Sequence, residues 1–178
     1  MKQKLLELLK KDAYQKKEVR LSSGKISDFY IDVRRVSLSS QGIYFISGLF
    51  YQHIAEKQIE AIGGPTLGAD PIVAGVCFLA AQNNRNLFGF LLRKEPKKHG
   101  RRRLIEGPEI KPGSEVVLCD DVATSGASLL AAKKVIEGEG FKVGEVMVVV
   151  DRSEGAREAL VKEGCGLFSL YTKSDFLT

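Results

Sequence analysis

The chain has 178 residues, 44% of them hydrophobic and 28% charged, and a formal net charge of +5. This size suits one domain with its own core, so we expect residues 1–178 to form a single domain with no room for a second catalytic unit. No apolar run reaches the roughly 20 residues that span a bilayer. We therefore expect no membrane partner. The three cysteines, Cys77, Cys119 and Cys165, lack the spacing of a disulfide framework or a zinc site, which favours the reducing cytoplasm.

Apolar periodicity predicts strands and helices that alternate along most of the chain. Predicted helices cover about residues 2–17, 40–57, 69–82, 129–137 and 154–162, and predicted strands cover 29–33, 59–62, 87–92, 116–119, 143–150 and 167–170. This order favours an α/β fold with a mainly parallel, twisted sheet flanked by helices. Residues 93–113 show no secondary-structure period, and such long connections are usually functional or disordered.

Two adjacent acids, Asp120 and Asp121, follow the predicted strand 116–119, at the end where open α/β sheets bind ligands. An ordinary turn in which Asp121 and Ser125 only cap a helix is one interpretation. However, adjacent acids repel each other unless cations, hydroxyl donors or solvent compensate, and a ribose phosphate with Mg²⁺ supplies these. The first backbone amides of the next helix can hold a phosphate. The residues that follow the acids are mostly small or hydroxylated: Val122, Ala123, Thr124, Ser125, Gly126, Ala127 and Ser128.

A basic segment, R-K-E-P-K-K-H-G, runs from Arg93 to Gly100 directly after the predicted strand 87–92. One alternative is a solvated basic loop, and another is a nucleic-acid contact. We do not expect a nucleic-acid partner, because no aromatic residues interleave with the charges to stack on bases. Beside the acid pair, the cations could neutralise an anionic group of a ligand, and His99 could donate a hydrogen bond or a proton.

These two segments resemble motifs of one enzyme family. D-D-V-A-T-S-G at 120–126 resembles the phosphoribosyl diphosphate (PRPP) binding motif of type I phosphoribosyltransferases, and the basic segment resembles the catalytic loop of orotate phosphoribosyltransferases. The resemblance implies the type I phosphoribosyltransferase fold with a small N-terminal hood region, in a homodimer with shared active sites. Asp120 and Asp121 would bind the ribose of PRPP and be catalytic. Residues 122–128 would also bind PRPP, with residues 123–128 on its 5′-phosphate. The same resemblance assigns pyrophosphate binding to Arg93, Lys94, Lys97 and His99, and the last two would also be catalytic.

The nature of the base is indicated by D-R-S-E-G at 151–155, which follows the predicted strand 143–150 and resembles the family's D-R-x-E-G segment. This resemblance assigns orotate binding to Arg152 and Thr124. An arginine can hold a carboxylate through two parallel hydrogen bonds, which would distinguish orotate from uracil or adenine. A surface Asp-Arg ion pair is the alternative interpretation.

Two further segments match the family less closely. Residues 21–32 resemble its S-G-K-x-S-x-x-Y-x-D pattern, in which Lys25 would face the substrate. The turn at 63–68 corresponds to another phosphate-facing turn of the family. Thr66 and Leu67 stand there in place of the Tyr-Lys of many members, so one pyrophosphate contact is absent or supplied elsewhere.

The resemblance as a whole implies transfer of a phosphoribosyl group from PRPP to orotate, giving orotidine 5′-monophosphate and pyrophosphate in pyrimidine synthesis. Mg²⁺ is the implied cofactor, held mainly by pyrophosphate and ribose oxygens and water, so we expect no dedicated protein ligands for it. A purine phosphoribosyltransferase is the nearest alternative, but it should lack the basic loop and the arginine of residues 151–155. A PRPP-sensing regulator of the same fold is a second alternative, against which the intact loop counts.

Overall fold

The computed structural model describes residues 1–20, 26–95 and 104–177. Within these ranges the helices are α1 Lys2–Asp12, α2 Arg34–Ser37, α3 Ser40–Ile54, α4 Asp70–Gln82, α5 Ala127–Gly138, α6 Ala156–Lys162 and α7 Ser174–Leu177. The strands are β1 Tyr14–Arg20, β2 Ile26–Ile31, β3 Ala61–Pro65, β4 Phe88–Leu92, β5 Ile105–Glu106, β6 Glu115–Ala123, β7 Lys142–Asp151 and β8 Gly166–Thr172.

The described strands form a six-stranded sheet in the order β5-β4-β3-β6-β7-β8, and β1 and β2 form a separate antiparallel pair. All neighbours in the large sheet are parallel except β5, which runs antiparallel to β4. The parallel strands therefore finish along one border, which we call the carboxyl edge, and begin along the opposite border, the amino edge. The predicted α/β fold with a mainly parallel sheet is confirmed, and the β1-β2 pair corresponds to the expected N-terminal hood region.

The central strands are buried on both faces because helices cover the sheet from both sides. Val146 to Val150 of β7 are all fully buried. One layer of the core packs residues of α1, α3 and α4 against the sheet, including Leu5, Phe50 and Ile72. The other layer packs residues of α5 and α6 against the opposite face, including Leu129 and Leu160. These two layers fix the strand ends, and with them the carboxyl edge.

The N-terminal prediction was wrong in one respect. The helix predicted for residues 2–17 ends at Asp12, and residues from Tyr14 onward form β1. Tyr14 pairs with Ile31 of β2, and its ring packs 5.1 Å from that of Phe29 and 5.7 Å from that of Phe176, measured between centroids. These distant contacts override the local helix preference of a segment rich in Lys, Gln and Glu.

Other differences from the predicted elements are smaller. The strand predicted at 29–33 runs from Ile26 to Ile31 instead, because it pairs with β1. Residues 93–113 were predicted to lack regular structure, but β5 lies within them and pairs with the end of β4. The short helices α2 and α7 were not predicted, because they hold too few residues to show a period.

Polar groups at the amino edge are densely paired. The guanidinium of Arg85 donates hydrogen bonds of 2.5 to 3.1 Å to four backbone carbonyls, those of Ile54, Ala55, Lys57 and Ile59. These contacts satisfy carbonyls at the end of α3 and tie that end to the start of β4. Among the described helices, none has the length and apolarity needed to cross a membrane.

Candidate active site

The acid pair lies inside a strand rather than after it. Strand β6 continues to Ala123, whereas the prediction ended it at Cys119, because Val122 and Ala123 pair with Val150 and Asp151 of β7. The backbone amide of Asp121 donates to Oδ1 of Asp120 over 2.9 Å, which holds the two acids in a fixed relation. Both side chains lie at the carboxyl edge.

Burial makes the charged forms of both acids less favourable. Burial, followed by the negative charge of Asp121, raises the pKa of Asp120 to about 8. Burial also raises the pKa of Asp121, although its hydrogen bond with Asp120 and the positive charge of Arg34 act in the opposite direction. Arg34 begins α2 and is held by Asp32, with 2.9 Å between Nε and Oδ1. Near neutral pH the pair therefore keeps a proton until hydroxyl donors or cations arrive.

The turn after β3 lies directly against these carboxylates. A Cβ atom on Gly68 would overlap Oδ1 of Asp120 and would lie 2.7 Å from Oδ1 of Asp121. Likewise, a Cβ on Gly64 would overlap the carbonyl oxygen of Cys119 in the neighbouring strand. Glycine at position 68 lets the turn approach the acids closely, and glycine at position 64 lets β3 pack closely on β6. The phosphate-facing turn predicted at 63–68 and the acid pair are thus parts of one surface, and Leu67 on this turn is 68% exposed.

Within the predicted PRPP-binding run 122–128, Val122 and Ala123 belong to the end of β6, and Ala123 is buried. The helix begins at Ala127 rather than at Leu129, with Gly126 as its N-cap at a φ of 82°. A Cβ on Gly126 would lie 3.0 Å from Cα of Ala156, so the turn also packs tightly against the start of α6. The first amides of α5 face the carboxyl edge without intrahelical acceptors, which suits an anion.

Arg152 lies beside this turn. Its backbone amide donates to the carbonyl of Ala123 over 2.9 Å, which places it next to Thr124 across the ends of β6 and β7. The residue is only 6% exposed, although sequence alone left a surface ion pair open. The structure therefore brings together the two residues assigned to orotate, within the same edge as the acid pair.

The described part of the basic segment starts at the same edge. Arg93 directly follows β4, and its amide donates to the carbonyl of Leu104 over 2.9 Å. Its Nη1 lies 3.5 Å from Oε1 of Glu106, and its Nε donates to the carbonyl of Glu95. Lys94 is exposed next to it. Lys97 and His99 lie outside the described residues, as does Lys25, so their roles remain predictions.

A family model for the phosphoribosyl transferase domain matches residues 78–164. The chain is 40% identical to the orotate phosphoribosyltransferase of Aquifex aeolicus, over 99% of this chain and 97% of that protein. It is 38% identical to that of Synechocystis, over 98% of this chain and 88% of the relative. The chain belongs to the orotate phosphoribosyltransferase family.

Solved structures agree with this family assignment. The orotate phosphoribosyltransferase of Mycobacterium tuberculosis in complex with PRPP superposes with a TM-score of 0.82 at 32% identity, covering 99% of both chains. An adenine phosphoribosyltransferase from Thermoanaerobacter pseudethanolicus also superposes, with a TM-score of 0.69 at 18% identity over 94% of this chain and 99% of the other. That likeness shows the fold alone. A related fold therefore occurs in an enzyme named for another base, and the base must be argued from the site.

Sequence reasoning missed several residues of this orotate phosphoribosyltransferase site. Arg34 was not considered, although its spacing from Asp32 in the N-terminal motif could have suggested an ion pair. The D-R-S-E-G motif gives Glu154 no role, yet its carboxylate contacts Arg152. Phe29 was assigned to a strand only, although its carbonyl also accepts from Arg152. Contacts between distant segments such as β2 and β7 leave no periodic pattern in the sequence.

No group of three or more His, Cys, Asp and Glu side chains within the described ranges is arranged to hold a metal ion. Asp120 and Asp121 supply adjacent carboxylate oxygens at the carboxyl edge. Carboxylate oxygens are suitable ligands for Mg²⁺, which commonly binds one or two carboxylates and completes its shell with water and phosphate oxygens. The donor set therefore fits a metal that arrives with a phosphorylated substrate.

Proposed function

We propose that this protein transfers the 5-phosphoribosyl group of PRPP to orotate, giving orotidine 5′-monophosphate and pyrophosphate in pyrimidine synthesis in the cytoplasm. The observation that carries the proposal is the position of Arg152, which lies beside Thr124 at the same edge as the acid pair. A guanidinium there suits a carboxylated base, which distinguishes orotate from uracil and the purines. The relatives and the PRPP complex named above support both substrates.

The acid pair would bind the ribose. Burial raises the pKa of both carboxyl groups, so hydroxyl donors and developing positive charge should stabilise their charged forms. As the bond to pyrophosphate breaks, positive charge grows on the ribose ring, and the carboxylates of Asp120 and Asp121 would stabilise it. The turn before α5 would hold the 5′-phosphate through backbone amides and the hydroxyls of Thr124, Ser125 and Ser128. No covalent enzyme nucleophile is needed.

The basic segment would stabilise the leaving group. Arg93 and Lys94 would contact pyrophosphate from the end of β4, and Lys97 and His99 would complete the set by their match to the family motif. Mg²⁺ would be held by substrate oxygens and water near Asp120 and Asp121, where it supplies positive charge to the pyrophosphate. Closure over the substrates would exclude water, which otherwise hydrolyses PRPP.

A homodimer with shared active sites is part of the proposal, and an apolar groove between α3 and α4 supports it. The groove has a volume of about 310 Å³ and is lined by Ile43, Tyr44, Phe78 and Leu79 among others. Tyr44 is 59% exposed and Phe78 is 64% exposed, which is unusual for aromatic rings on one surface. A second copy of the chain would cover these rings.

Light scattering on Tyr44→Lys and Phe78→Lys variants tests this interface. Both variants should yield monomers, whereas unchanged dimers would contradict the assigned face.

The proposed reaction is tested by incubating the protein with Mg²⁺ and PRPP and adding orotate, uracil, adenine or hypoxanthine separately. Pyrophosphate release should depend on orotate, and orotidine 5′-monophosphate should form in equal amount. Turnover of another base without turnover of orotate would overturn the proposal. Binding of PRPP without turnover of any base would favour a regulator. An Arg152→Ala variant should raise the KM for orotate by about tenfold or more, since a charged hydrogen bond is lost.

A further inference from the structure

The guanidinium of Arg152 is held from two directions within the described residues. Its Nε and Nη2 both lie 3.1 Å from Oε1 of Glu154. Its Nη2 also donates to the carbonyl of Phe29 over 2.9 Å, and its Cζ lies 5.4 Å from the centroid of the Phe29 ring. Phe29 belongs to the hood strand β2, whereas Arg152 and Glu154 follow β7. The base site is therefore built where these two regions meet.

The local turn explains how Glu154 reaches its neighbour. The amide of Ser153 donates to Oδ1 of Asp151 over 2.9 Å, which fixes the backbone around Arg152. Ser153 has a φ of 56° and Gly155 has a φ of 106°, so the chain turns sharply before α6 begins. This turn directs the side chain of Glu154 back toward the guanidinium. The carboxylate is 26% exposed, whereas the Arg152 side chain is 7% exposed.

Because Arg152 is buried, its contact with Glu154 affects both charge compensation and binding. A buried cation needs a paired anion or several hydrogen-bond acceptors, and removing its partner leaves an uncompensated charge. An arginine also has many rotamers, and fixing them before a ligand arrives lowers the entropy lost on binding. Glu154 meets both requirements through one oxygen atom that contacts two donors.

We propose that Glu154 is a positioning residue for the base, which holds the guanidinium of Arg152 in the orientation that receives the carboxylate of orotate. This inference rests on the proposed role of Arg152 in orotate binding. Glu154 acts through the arginine and does not touch the reacting atoms. Its effect should therefore fall on the KM for orotate, while the KM for PRPP and kcat stay nearly unchanged. A carboxylate that merely competed with orotate for the arginine would have the opposite effect on that KM.

Steady-state kinetics on a set of variants tests the inference. Glu154→Ala should raise the KM for orotate about tenfold, because the guanidinium loses its acidic orienting partner and keeps the contact with Phe29. Glu154→Gln keeps an oxygen acceptor at the same distance and should stay within about threefold of the wild type. Glu154→Asp is shorter and should give a KM between these two. Glu158→Gln is the matched control, because it removes an exposed carboxylate from the first turn of α6.

A KM for orotate that is unchanged or lowered in Glu154→Ala would overturn the inference, and so would an equal rise in the KM for both substrates. If Glu154→Ala does not fold, Glu154→Asp carries the test, and an unchanged KM for orotate in that variant would overturn it. Arg152→Ala separates the two levels of the proposal. If that variant binds orotate normally, the proposed role of Arg152 fails. If only Arg152 variants raise the KM, the role of Glu154 alone fails.

Discussion

The two edges of the central sheet differ in how the charged groups described below are compensated. At the amino edge, Arg85 satisfies four carbonyls, and Nζ of Lys57 lies 2.7 Å from Oε2 of Glu145. At the carboxyl edge, Asp120 and Asp121 lie side by side with raised pKa values. The buried Oδ1 of Asp70 has no hydrogen-bond partner among the residues that the structure describes. Paired charges stabilise the native fold, whereas poorly compensated ones can bind a ligand. The difference predicts that changes at the carboxyl edge reduce activity and changes at the amino edge reduce stability.

Among changes that leave both acids in place, the largest loss of activity is expected from Gly68→Ala. The added Cβ would overlap Oδ1 of Asp120, so either the turn or the carboxylate must shift from its position. A displacement of about 1 Å at reacting groups can cost roughly 10²-fold in rate, and we expect a loss of that size in kcat/KM for PRPP. Gly138→Ala is the control, because a Cβ there meets no atom within 4 Å. Equal activity in the two variants would show that close approach at Gly68 is not required.

The largest loss of stability is expected from Arg85→Ala. Four carbonyls near the end of α3 would lose a charged donor. A hydrogen bond to a charged group contributes about 1.5 to 3 kcal/mol to the free energy of unfolding. We expect the free energy of unfolding to fall by about 3 kcal/mol in total, because water reaches part of this site. Denaturant titration measures the change, and Arg85→Lys should recover only part of it, since one ammonium cannot reach four acceptors.

The kcat of Arg85→Ala distinguishes a loss of stability from a general defect of the protein. Folded Arg85→Ala protein should keep its kcat at 25 °C, because the amino edge holds none of the proposed substrate contacts. A loss of kcat as large as that in Gly68→Ala would break the contrast between the two edges.

A smaller effect at the amino edge should depend on pH. Burial raises the pKa of Glu145, but hydrogen bonds from Lys57 and His53 outweigh it, so the net pKa is lowered. The native state therefore holds fewer protons than the unfolded state, and the contact stabilises the fold above the ordinary pKa of the carboxyl group and is lost as pH falls through the lowered value. Glu145→Gln should cost about 0.5 to 1 kcal/mol at pH 7. Denaturant titrations should show this difference shrinking in acid, and a constant difference would contradict the ion-pair explanation.

Much of the carboxyl edge could be predicted from sequence because it is built from consecutive residues. Strand, acids, turn and helix follow one another between Val116 and Ile136, so local pattern indicated them together. The exact end of β6 was missed, because Val122 and Ala123 are strand only through pairing with β7. The helix predicted through residue 17 failed for a similar reason, since β1 depends on β2.

The partners of Arg152 show the remaining limit of local sequence reasoning. Motif resemblance indicated the arginine and its ligand, but burial and the contact with Phe29, 123 residues away, depend on how the hood packs against the sheet. The same holds for Arg34, whose charge influences Asp121 from a different element. Long-range contacts of this kind carry no spacing rule that a single sequence reveals.

The dependence of stability on pH in Asp120→Asn tests the contrast between the edges most directly. Because the native pKa of Asp120 is raised to about 8 from its ordinary value of 3.8, the native state keeps a proton that the unfolded state releases between these values. The wild type should therefore lose stability relative to Asp120→Asn as pH rises from about 5 to 8, without substrates or divalent cations. At pH 8 the variant should be the more stable protein while being nearly inactive. A variant less stable than the wild type by the same amount at every pH would contradict this account.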